Sequence, residues 1–201
     1  YIADLTAKLG SLTAGKDEIK LEAEHMNNMS SKTIYAIEDR TNAMNSPSST
    51  KRTLLNTIGG EKWQTAGQWV TYKFSVDQSG LYQIATKFRQ NVLDGMYTSR
   101  TLAIYTNYTE AEYKAKFGNL DGYYNGLPFE EAGRLQFNYS SDWQSGKLTD
   151  GDGTFDIYFE AGVVYTLRFE VTLGKMGEIV NKVQKALDNI NNDYLSIIQL
   201  T

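Results

Sequence analysis

The 201-residue sequence contains no cysteine and only one histidine, His25. Because a disulfide needs cysteine, the chain has to fold on its hydrophobic core alone. With 41% hydrophobic residues, this length is enough for one domain, with or without an appendage. The absence of cysteine fits a cytosolic protein, and it fits equally well an extracellular protein of a Gram-positive bacterium. Cysteine content therefore leaves the compartment open.

Positive charge and long apolar runs are also scarce. The 20 basic and 24 acidic residues give a net charge of −4, so we expect no broad cationic surface and no nucleic-acid partner. We find no signal peptide and no apolar run long enough to span a membrane, so direct membrane insertion is not expected. The chain begins at Tyr1 rather than at methionine, which predicts that it is a fragment of a longer protein.

Catalytic motifs are missing as well. His25 has neither a cysteine nor a convincing serine motif with which to form a triad. The glycines in IGGEKW, residues 58–63, lack the spacing and context of a phosphate-binding loop. Many carboxylates are present, but their spacing selects no pair for glycoside hydrolysis. The sequence predicts a protein that is not an enzyme.

The sequence is rich in strand patterns. The stretch GQWVTYKFSVDQSGLYQIATKFRQN, residues 67–91, alternates apolar and polar side chains on both sides of a turn, which predicts an antiparallel hairpin. The same alternation recurs in residues 19–24, 100–105, 134–139, 154–162 and 164–174. Seven or eight strands without helices between them predict a mainly β fold, a jelly-roll β-sandwich, because one sheet face must pack on another.

One amphipathic helix is predicted at each end of the chain. Apolar residues recur at helical spacing at Ile2, Leu5, Leu9 and Leu12, and at Ile179, Val180, Val183, Leu187, Ile190, Tyr194, Ile197 and Ile198. These patterns divide the chain into an N-terminal helix in residues 1–15, a sandwich in 16–175 and a long helix in 176–201. We expect the long helix to cover the N-terminal helix and the sheet, with the two helices packed antiparallel and the chain ends brought together. Residues 106–132 resemble a long inserted loop with about one helical turn.

Three segments carry a family resemblance. IKLEAEH (19–25), residues 67–90 and FDIYFEAGVVYTLRFEV (155–171) resemble, in that order, the galactose-binding-like jelly rolls of the family 6 and family 35 carbohydrate-binding modules. The wider layout is similar to an accessory domain of extracellular solute-binding lipoproteins in Firmicutes carbohydrate ABC transporters. There, NTIGG (56–60), RQN (89–91) and YSSDWQ (139–144) have counterparts.

The resemblance implies a sugar site made of aromatic rings and hydrogen-bonding side chains in the loops. A sugar ring packs its C–H face on an aromatic ring, while its hydroxyl groups need directional partners. The residues in matching positions are Trp63, Gln64, Asp142, Trp143 and Gln144, with Tyr123 and Tyr124 in the inserted loop. The alternative is that the two loop tryptophans plug the open end of the sandwich.

The resemblance also implies a structural calcium ion. Glu22 and Glu24 match the place where related modules bind calcium through carboxylate and carbonyl oxygens. Those modules usually add an aspartate late in the last strand, where this chain reads LGKMGE (173–178) instead. A second acidic stretch, DGDGTFD (150–156), lacks the distal glutamate of an EF-hand and fits an Asp-Gly hairpin turn. We expect calcium to be dispensable.

These observations lead to two functional hypotheses. The first is a non-catalytic carbohydrate-binding module of a surface protein, linked to carbohydrate uptake through an ABC transporter solute-binding protein. Its partners would be an oligo- or polysaccharide and the host chain or the transporter domains, outside a Gram-positive cell. The second is a structural or adaptor domain, inserted in such a host, with no sugar site.

Overall fold

In a computed structural model, residues 2–42, 45–92, 94–117, 136–148 and 156–199 are described, and they form a mainly β protein with three α-helices and one short 3₁₀-helix, Gly60–Lys62. The helices are α1 (Ile2–Leu9), α2 (Glu110–Phe117) and α3 (Lys175–Gln199). The strands are β1 (Asn28–Met29), β2 (Trp69–Phe74), β3 (Gly80–Gln83), β4 (Ala85–Phe88), β5 (Tyr97–Thr106), β6 (Gln136–Asn138), β7 (Gln144–Lys147), β8 (Asp156–Phe159) and β9 (Tyr165–Thr172). None of the described helices is long and apolar enough to cross a membrane.

The strands form one large and two small antiparallel sheets. The large sheet has the order β1-β2-β9-β5-β6, and the small sheets pair β3 with β8 and β4 with β7. Side chains of β5 and β9 that point inward, such as Leu102 and Leu167, share one buried core with Ile157 of β8 and with Leu148, which follows β7. The predicted mainly β fold, a sandwich with a helix at each end, is therefore confirmed.

The hairpin predicted for residues 67–91 is wrong. Strand β2 pairs with β1 and β9 in the large sheet, whereas β3 pairs with β8, so the turn between them carries the chain from one sheet to the other. The Asp17 carboxylate holds this turn by accepting backbone N–H bonds from Asp77 (2.8 Å) and Gln78 (2.9 Å). Alternating side chains identify strands on both sides of a turn but carry no information about their pairing partners.

Two other predicted segments also differ from the structure. Residues 19–24 form no strand, and Ile19 and Leu21 are exposed rather than half-buried. The described part of the inserted loop contains α2, a helix of two turns rather than one. Thr109 caps α2, because its hydroxyl oxygen accepts the Glu112 backbone N–H at 3.3 Å, while the Glu112 carboxylate accepts the Thr109 backbone N–H at 2.8 Å.

The contact between β3 and the segment after α1 requires glycine at position 80. A Cβ atom there would lie 2.7 Å from the Gly15 nitrogen and 2.9 Å from the Thr13 carbonyl oxygen, both rigid backbone atoms. Gly80→Ala is therefore expected to lower the free energy of unfolding by about 1–3 kcal/mol, as overpacking typically does. Urea denaturation of the purified chain measures this change.

Gly146→Ala is the matched control for this substitution. Gly146 also lies in a strand, but a Cβ atom there would meet only the Phe88 ring, at 3.6 Å, which is an ordinary contact. We expect this variant to be as stable as the unchanged protein or slightly more so. Equal stability of the Gly80 and Gly146 variants would contradict the proposed backbone clash.

The two end helices have different surroundings. Leu5 of α1 is buried in the sandwich core, and Leu9 and Leu12 pack against the same core. The apolar stripe of α3, in contrast, is exposed from Ile179 to Ile198. Among the described residues, the stripe of α3 therefore packs neither on α1 nor on the sheet, contrary to the expectation from the sequence, and α1 has the sandwich core as its partner.

Strand direction explains why the two helices do not meet. The segment after α1 bonds to the start of β3 through Leu81, whose N–H donates to the Thr13 carbonyl at 2.8 Å. The start of β3 pairs with Phe159 at the end of β8, and Phe159 contacts Tyr165, where β9 begins. Helix α3 follows the other end of β9. It therefore starts at the end of the sandwich opposite to residues 13–15.

Candidate functional site

Trp143 lies immediately before β7 and is half-buried. Its indole Nε1 donates a hydrogen bond to Asp39 Oδ1 at 3.3 Å. The Arg89 guanidinium lies 5.3 Å from the centre of the indole ring, and Lys87 Nζ lies 5.8 Å from it. The ring is therefore fixed in place by a carboxylate and lies beside two cations, which favour the negative face of an aromatic system.

Asp39 is the centre of this arrangement. Its Oδ1 atom also accepts from the Thr41 N–H (2.9 Å), the Thr41 hydroxyl (2.5 Å) and Asn45 Nδ2 (3.1 Å). Its Oδ2 atom accepts from Arg89 at 2.6 Å, and Arg89 also donates to the Thr41 hydroxyl. The side chains of Asp39 and Arg89 are only 9% and 17% exposed. We call Asp39, Thr41, Asn45, Arg89 and Trp143 the Asp39 cluster.

The electrostatics of the cluster favour a charged Asp39. Burial pushes the pKa of the Asp39 carboxyl upward. Hydrogen bonds from the Thr41 side chain and backbone and from Trp143, together with the positive charge of Arg89, outweigh burial and hold this pKa below its ordinary value. A carboxylate that already accepts this many hydrogen bonds holds the surrounding side chains in place and has little capacity left to bind a ligand.

The three short segments of the wider resemblance meet at this cluster. Asn56, from NTIGG, accepts the Asp39 backbone N–H at 2.8 Å and donates to the Asp39 carbonyl at 2.9 Å. RQN supplies Arg89, and the carbonyl of its Gln90 accepts the Ser140 N–H at 2.8 Å. YSSDWQ supplies Ser140 and Trp143. Segments more than 80 residues apart in sequence therefore build one site.

Exposed polar side chains surround Trp143. Asp142 and Gln144, its neighbours in sequence, are exposed, and so is Lys87 on the paired strand β4. Gln144 Nε2 donates to the Ser140 hydroxyl at 3.1 Å, and that hydroxyl donates to the Asp142 carbonyl at 2.6 Å. The site thus combines a fixed aromatic ring with accessible donors and acceptors, which is the chemistry that sugar hydroxyl groups require.

Trp63 has a different environment. Its ring packs against the buried cluster of Ile34, Val70 and Tyr72, and its Nε1 donates to the Gln68 carbonyl at 3.2 Å. The Arg100 guanidinium lies 4.5 Å from the ring centre. These contacts agree with the plug interpretation for this tryptophan.

Arg100 is an unusual neighbour for Trp63. It donates to the Ser99 carbonyl (2.8 Å) and to the Trp63 carbonyl (3.2 Å), while its Nε atom is buried without a partner. Burial lowers the pKa of Arg100 to about 10. The indole of Trp63 is therefore a principal contact of this partly buried cation.

The two tryptophans lie towards the same end of the sandwich. Trp63 contacts Arg100, which is in the first half of β5. The loop before Trp143 contacts Gln90, which lies in the segment that leads into β5. The two indole rings use different hydrogen-bond acceptors and lie beside different cations. Trp63 donates to Gln68 beside Arg100, whereas Trp143 donates to Asp39 beside Arg89 and Lys87.

The remaining predicted sugar-binding residues are Gln64, Tyr123 and Tyr124. Gln64 is exposed, and its backbone N–H donates to the Gln68 side chain at 3.1 Å, so it belongs to the Trp63 side. Tyr123 and Tyr124 lie outside the described residues.

The predicted calcium ligands do not form a complete set. Both carboxylate oxygens of Glu24 are buried without a hydrogen-bond partner, which is an environment that would suit a hard cation. Glu22, however, is paired with Lys20 at 2.5 Å. Among the described residues no three acidic, histidine or cysteine side chains gather closely enough to hold a metal ion. Calcium takes roughly six to eight oxygen ligands, so this donor set does not fit it.

Sequence reasoning missed most of the Asp39 cluster. Asp39, Thr41 and Asn45 come from a stretch of sequence that matches no strand or helix pattern. Arg89 is part of the RQN segment, but no local sequence pattern links it to Asp39, which lies 50 residues earlier in the chain. The usable signal was the co-occurrence of RQN and YSSDWQ in one resemblance, which the structure shows to be a spatial contact.

Comparison with known proteins adds little to this picture. No family model matches the chain, and no curated protein matches it. Among solved structures, the chain is similar to a Paenibacillus sp. cycloisomaltooligosaccharide glucanotransferase complexed with cycloisomaltoheptaose, at 15% identity and a TM-score of 0.42. The match covers 85% of this chain and 19% of that enzyme, so the chain spans about a fifth of its length. At this TM-score we base no argument on the likeness.

Proposed function

We propose that this chain is a non-catalytic module that binds an oligo- or polysaccharide at Trp143. The observation that carries the proposal is the fixed indole ring with Asp142, Gln144 and Lys87 exposed around it. A pyranose ring would pack on the indole, and its hydroxyl groups would exchange hydrogen bonds with these side chains. The Asp39 cluster would hold the ring in the orientation that binding needs, which lowers the entropy cost of binding.

The biological setting is part of the same proposal. The resemblance to carbohydrate-binding modules and to accessory domains of solute-binding lipoproteins supports a role outside a Gram-positive cell, in carbohydrate uptake through an ABC transporter. In that setting the module would hold a glycan near the transporter, and its other partners would be the host chain or the transporter domains. The absence of a recognisable catalytic motif in the sequence supports binding rather than turnover.

A structural or adaptor role is the second candidate, and Trp63 favours it. Its indole N–H is used inside the protein, its ring packs on the core, and Arg100 lies over it. On this interpretation both tryptophans would close one end of the sandwich, and neither would bind sugar.

Affinity electrophoresis in gels containing soluble polysaccharides separates the two candidates. We expect a neutral or a uronic acid-containing polysaccharide to retard the unchanged chain, and Trp143→Ala to weaken retention about tenfold or more. The Trp143 substitution also removes a buried contact, so its thermal unfolding is measured alongside.

Trp69→Ala is the matched control for this experiment. Trp69 is also half-buried and has a guanidinium, that of Arg168, 4.9 Å from its ring centre, but it lies on β2 outside the Asp39 cluster. We expect this variant to be destabilised and still retained. Loss of retention in both variants, or no retention of the unchanged chain by any polysaccharide, would favour the structural role.

A further inference from the structure

Helix α3 exposes an apolar seam along its whole length. Seven side chains at alternating steps of four and three residues are between 44% and 64% exposed: Met176, Val180, Val183, Leu187, Ile190, Tyr194 and Ile197. Soluble proteins rarely expose a contiguous apolar surface of this kind unless it binds something. The seam is separate from the Asp39 cluster and has no part in the proposed sugar site.

The spacing of the seam identifies the kind of partner that fits it. A helix that packs on a globular core shows a wide apolar face with a period of 3.6 residues, whereas the four-three alternation has a period of 3.5. That shorter period is the a/d pattern of a coiled coil, kept here for three heptads between Met176 and Ile197. The partner that fits the seam is therefore another helix with the same repeat.

The helix also needs a partner for its own stability. Its exposed positions include Asn181, Asn189, Asn191 and Asn192, and asparagine is a weak helix former. Most helical stability in proteins comes from packing an apolar face rather than from propensity. Within the described residues, the other two helices have eight residues each, and α1 is already packed on the sandwich core.

Charge placement permits a second copy of α3 to be that partner. With Val180, Leu187 and Tyr194 at position a, the flanking e and g positions are Ile179, Gln184, Ala186, Asn191, Asp193 and Ile198. In a parallel, in-register pair these face each other as Ile179 with Gln184, Ala186 with Asn191 and Asp193 with Ile198. No like charges are opposed, so nothing repels an identical helix.

The size of the seam is also sufficient. Burying an aliphatic side chain removes roughly 60–120 Å² of apolar surface, and about half of each seam residue is exposed at present. With Ile179 and Ile198 beside the seam, 56% and 49% exposed, two copies offer roughly 500–1,100 Å² for burial, which reaches the size at which a specific interface is expected. A membrane surface is a poorer match, because residues 175–199 contain three lysines and three acidic residues and so carry no net positive charge.

We propose that this protein self-associates through α3, as a parallel coiled coil of identical helices. Leu187 at position a with Ile190 and Ile197 at position d is a combination that favours three or four strands over two. The sandwiches would then lie together at one end of the coil, because α3 follows directly from the end of β9.

Light scattering after size-exclusion chromatography of the whole chain tests the proposal. We expect a mass of two or more copies, and we expect Leu187→Asp, which places carboxylates in the seam, to weaken association about a hundredfold or more. Asn189→Asp adds the same charge on the outer side of the helix and should leave the mass unchanged. Leu187 is 60% exposed in the single chain, so the variant should keep the thermal unfolding transition of the sandwich.

The absence of cysteine allows a second test of orientation and register. In a parallel coil, a single cysteine at position 190 faces its own copy, so Ile190→Cys should form an intermolecular disulfide on mild oxidation. Asn189→Cys points away from the seam and should cross-link far more slowly. A monomeric mass at all concentrations, or equal cross-linking at positions 189 and 190, would overturn the proposal, as would association that Leu187→Asp leaves intact.

Discussion

Replacing Asp39 with alanine is expected to lower the free energy of unfolding by about 3 kcal/mol. The substitution removes one partner of a mostly buried ion pair and leaves the Arg89 guanidinium, 17% exposed, without its carboxylate. It also removes the acceptor used by Thr41, Asn45 and Trp143. Urea denaturation followed by circular dichroism measures the loss.

The neighbouring ion pair provides the control. Glu38 and Arg40 are bonded at 2.7 Å, but the Arg40 side chain is 58% exposed, and surface pairs contribute little. We therefore expect Glu38→Ala to have a much smaller effect than Asp39→Ala. Similar losses in the two variants would show that the Asp39 cluster is not a special centre of stability. Asp39→Ala combined with Arg89→Met should recover part of the loss, because no unpaired buried charge remains.

The same cluster predicts how stability depends on pH. The pKa of Asp39 is held below its ordinary value of 3.8, so its contribution is fully present above that pH and disappears as the pH falls through the lowered value. Hydrogen bonds lower the pKa values of Glu38 and Asp17 in the same direction, so acid weakens several contacts together. Asp39→Asn should therefore give a shallower loss of stability in acid than the unchanged chain shows.

Local patterns were sufficient for the strands but not for their pairing. Strand β9 alternates strictly, with Tyr165, Leu167 and Val171 buried, because a half-buried strand needs that period. The same logic identified β2, but it treated β3 and β4, which lie in different small sheets, as one strand and joined that strand to β2 as a hairpin. Asp17, 60 residues before Asp77, instead fixes the turn after β2 as a crossing between sheets. A contact between residues so far apart in sequence does not change the local alternation of apolar and polar side chains.

The candidate site was predictable to a similar extent. Trp143 was identified because a tryptophan in a polar loop is chemically conspicuous, whereas Asp39, which positions it, is 104 residues away in sequence and looks like an ordinary loop aspartate. The seam of α3 was also visible as a stripe, but the sequence alone suggested α1 and the sheet as its partners. In the structure the sandwich core takes the leucines of α1, and the stripe of α3 is exposed.

Self-association and sugar binding would reinforce each other if both hold. A coiled coil would bring several copies of the Trp143 site onto one glycan, so weak individual binding would add up to strong retention. The two proposals are nevertheless separable. Leu187→Asp should reduce the retention of the chain by a polysaccharide that has many sites while leaving its affinity for a short oligosaccharide unchanged, and Trp143→Ala should reduce both.

The N-terminal helix provides the last and largest stability prediction. Leu5 is 1% exposed and packs in the same cluster as Val76, Ile104, Val163 and Tyr165. Truncating a leucine this deeply buried removes its transfer free energy and leaves a cavity, so Leu5→Ala is expected to cost about 2–5 kcal/mol. Thermal unfolding of the whole chain, followed by near-ultraviolet circular dichroism of the sandwich aromatics, measures this loss.

The result also decides whether residues 1–15 behave as a separate unit. If α1 were a separate appendage, Leu5→Ala would unfold only the helix, and the unfolding midpoint of the sandwich would not change. Because Leu5 contributes to the core between the sheets, we expect one cooperative transition with a lower midpoint instead. Leu55→Ala is the control, since Leu55 is 50% exposed and surface substitutions usually change stability by no more than about 0.5 kcal/mol. An unchanged unfolding midpoint in the Leu5 variant would show instead that residues 1–15 form a unit separate from the sandwich.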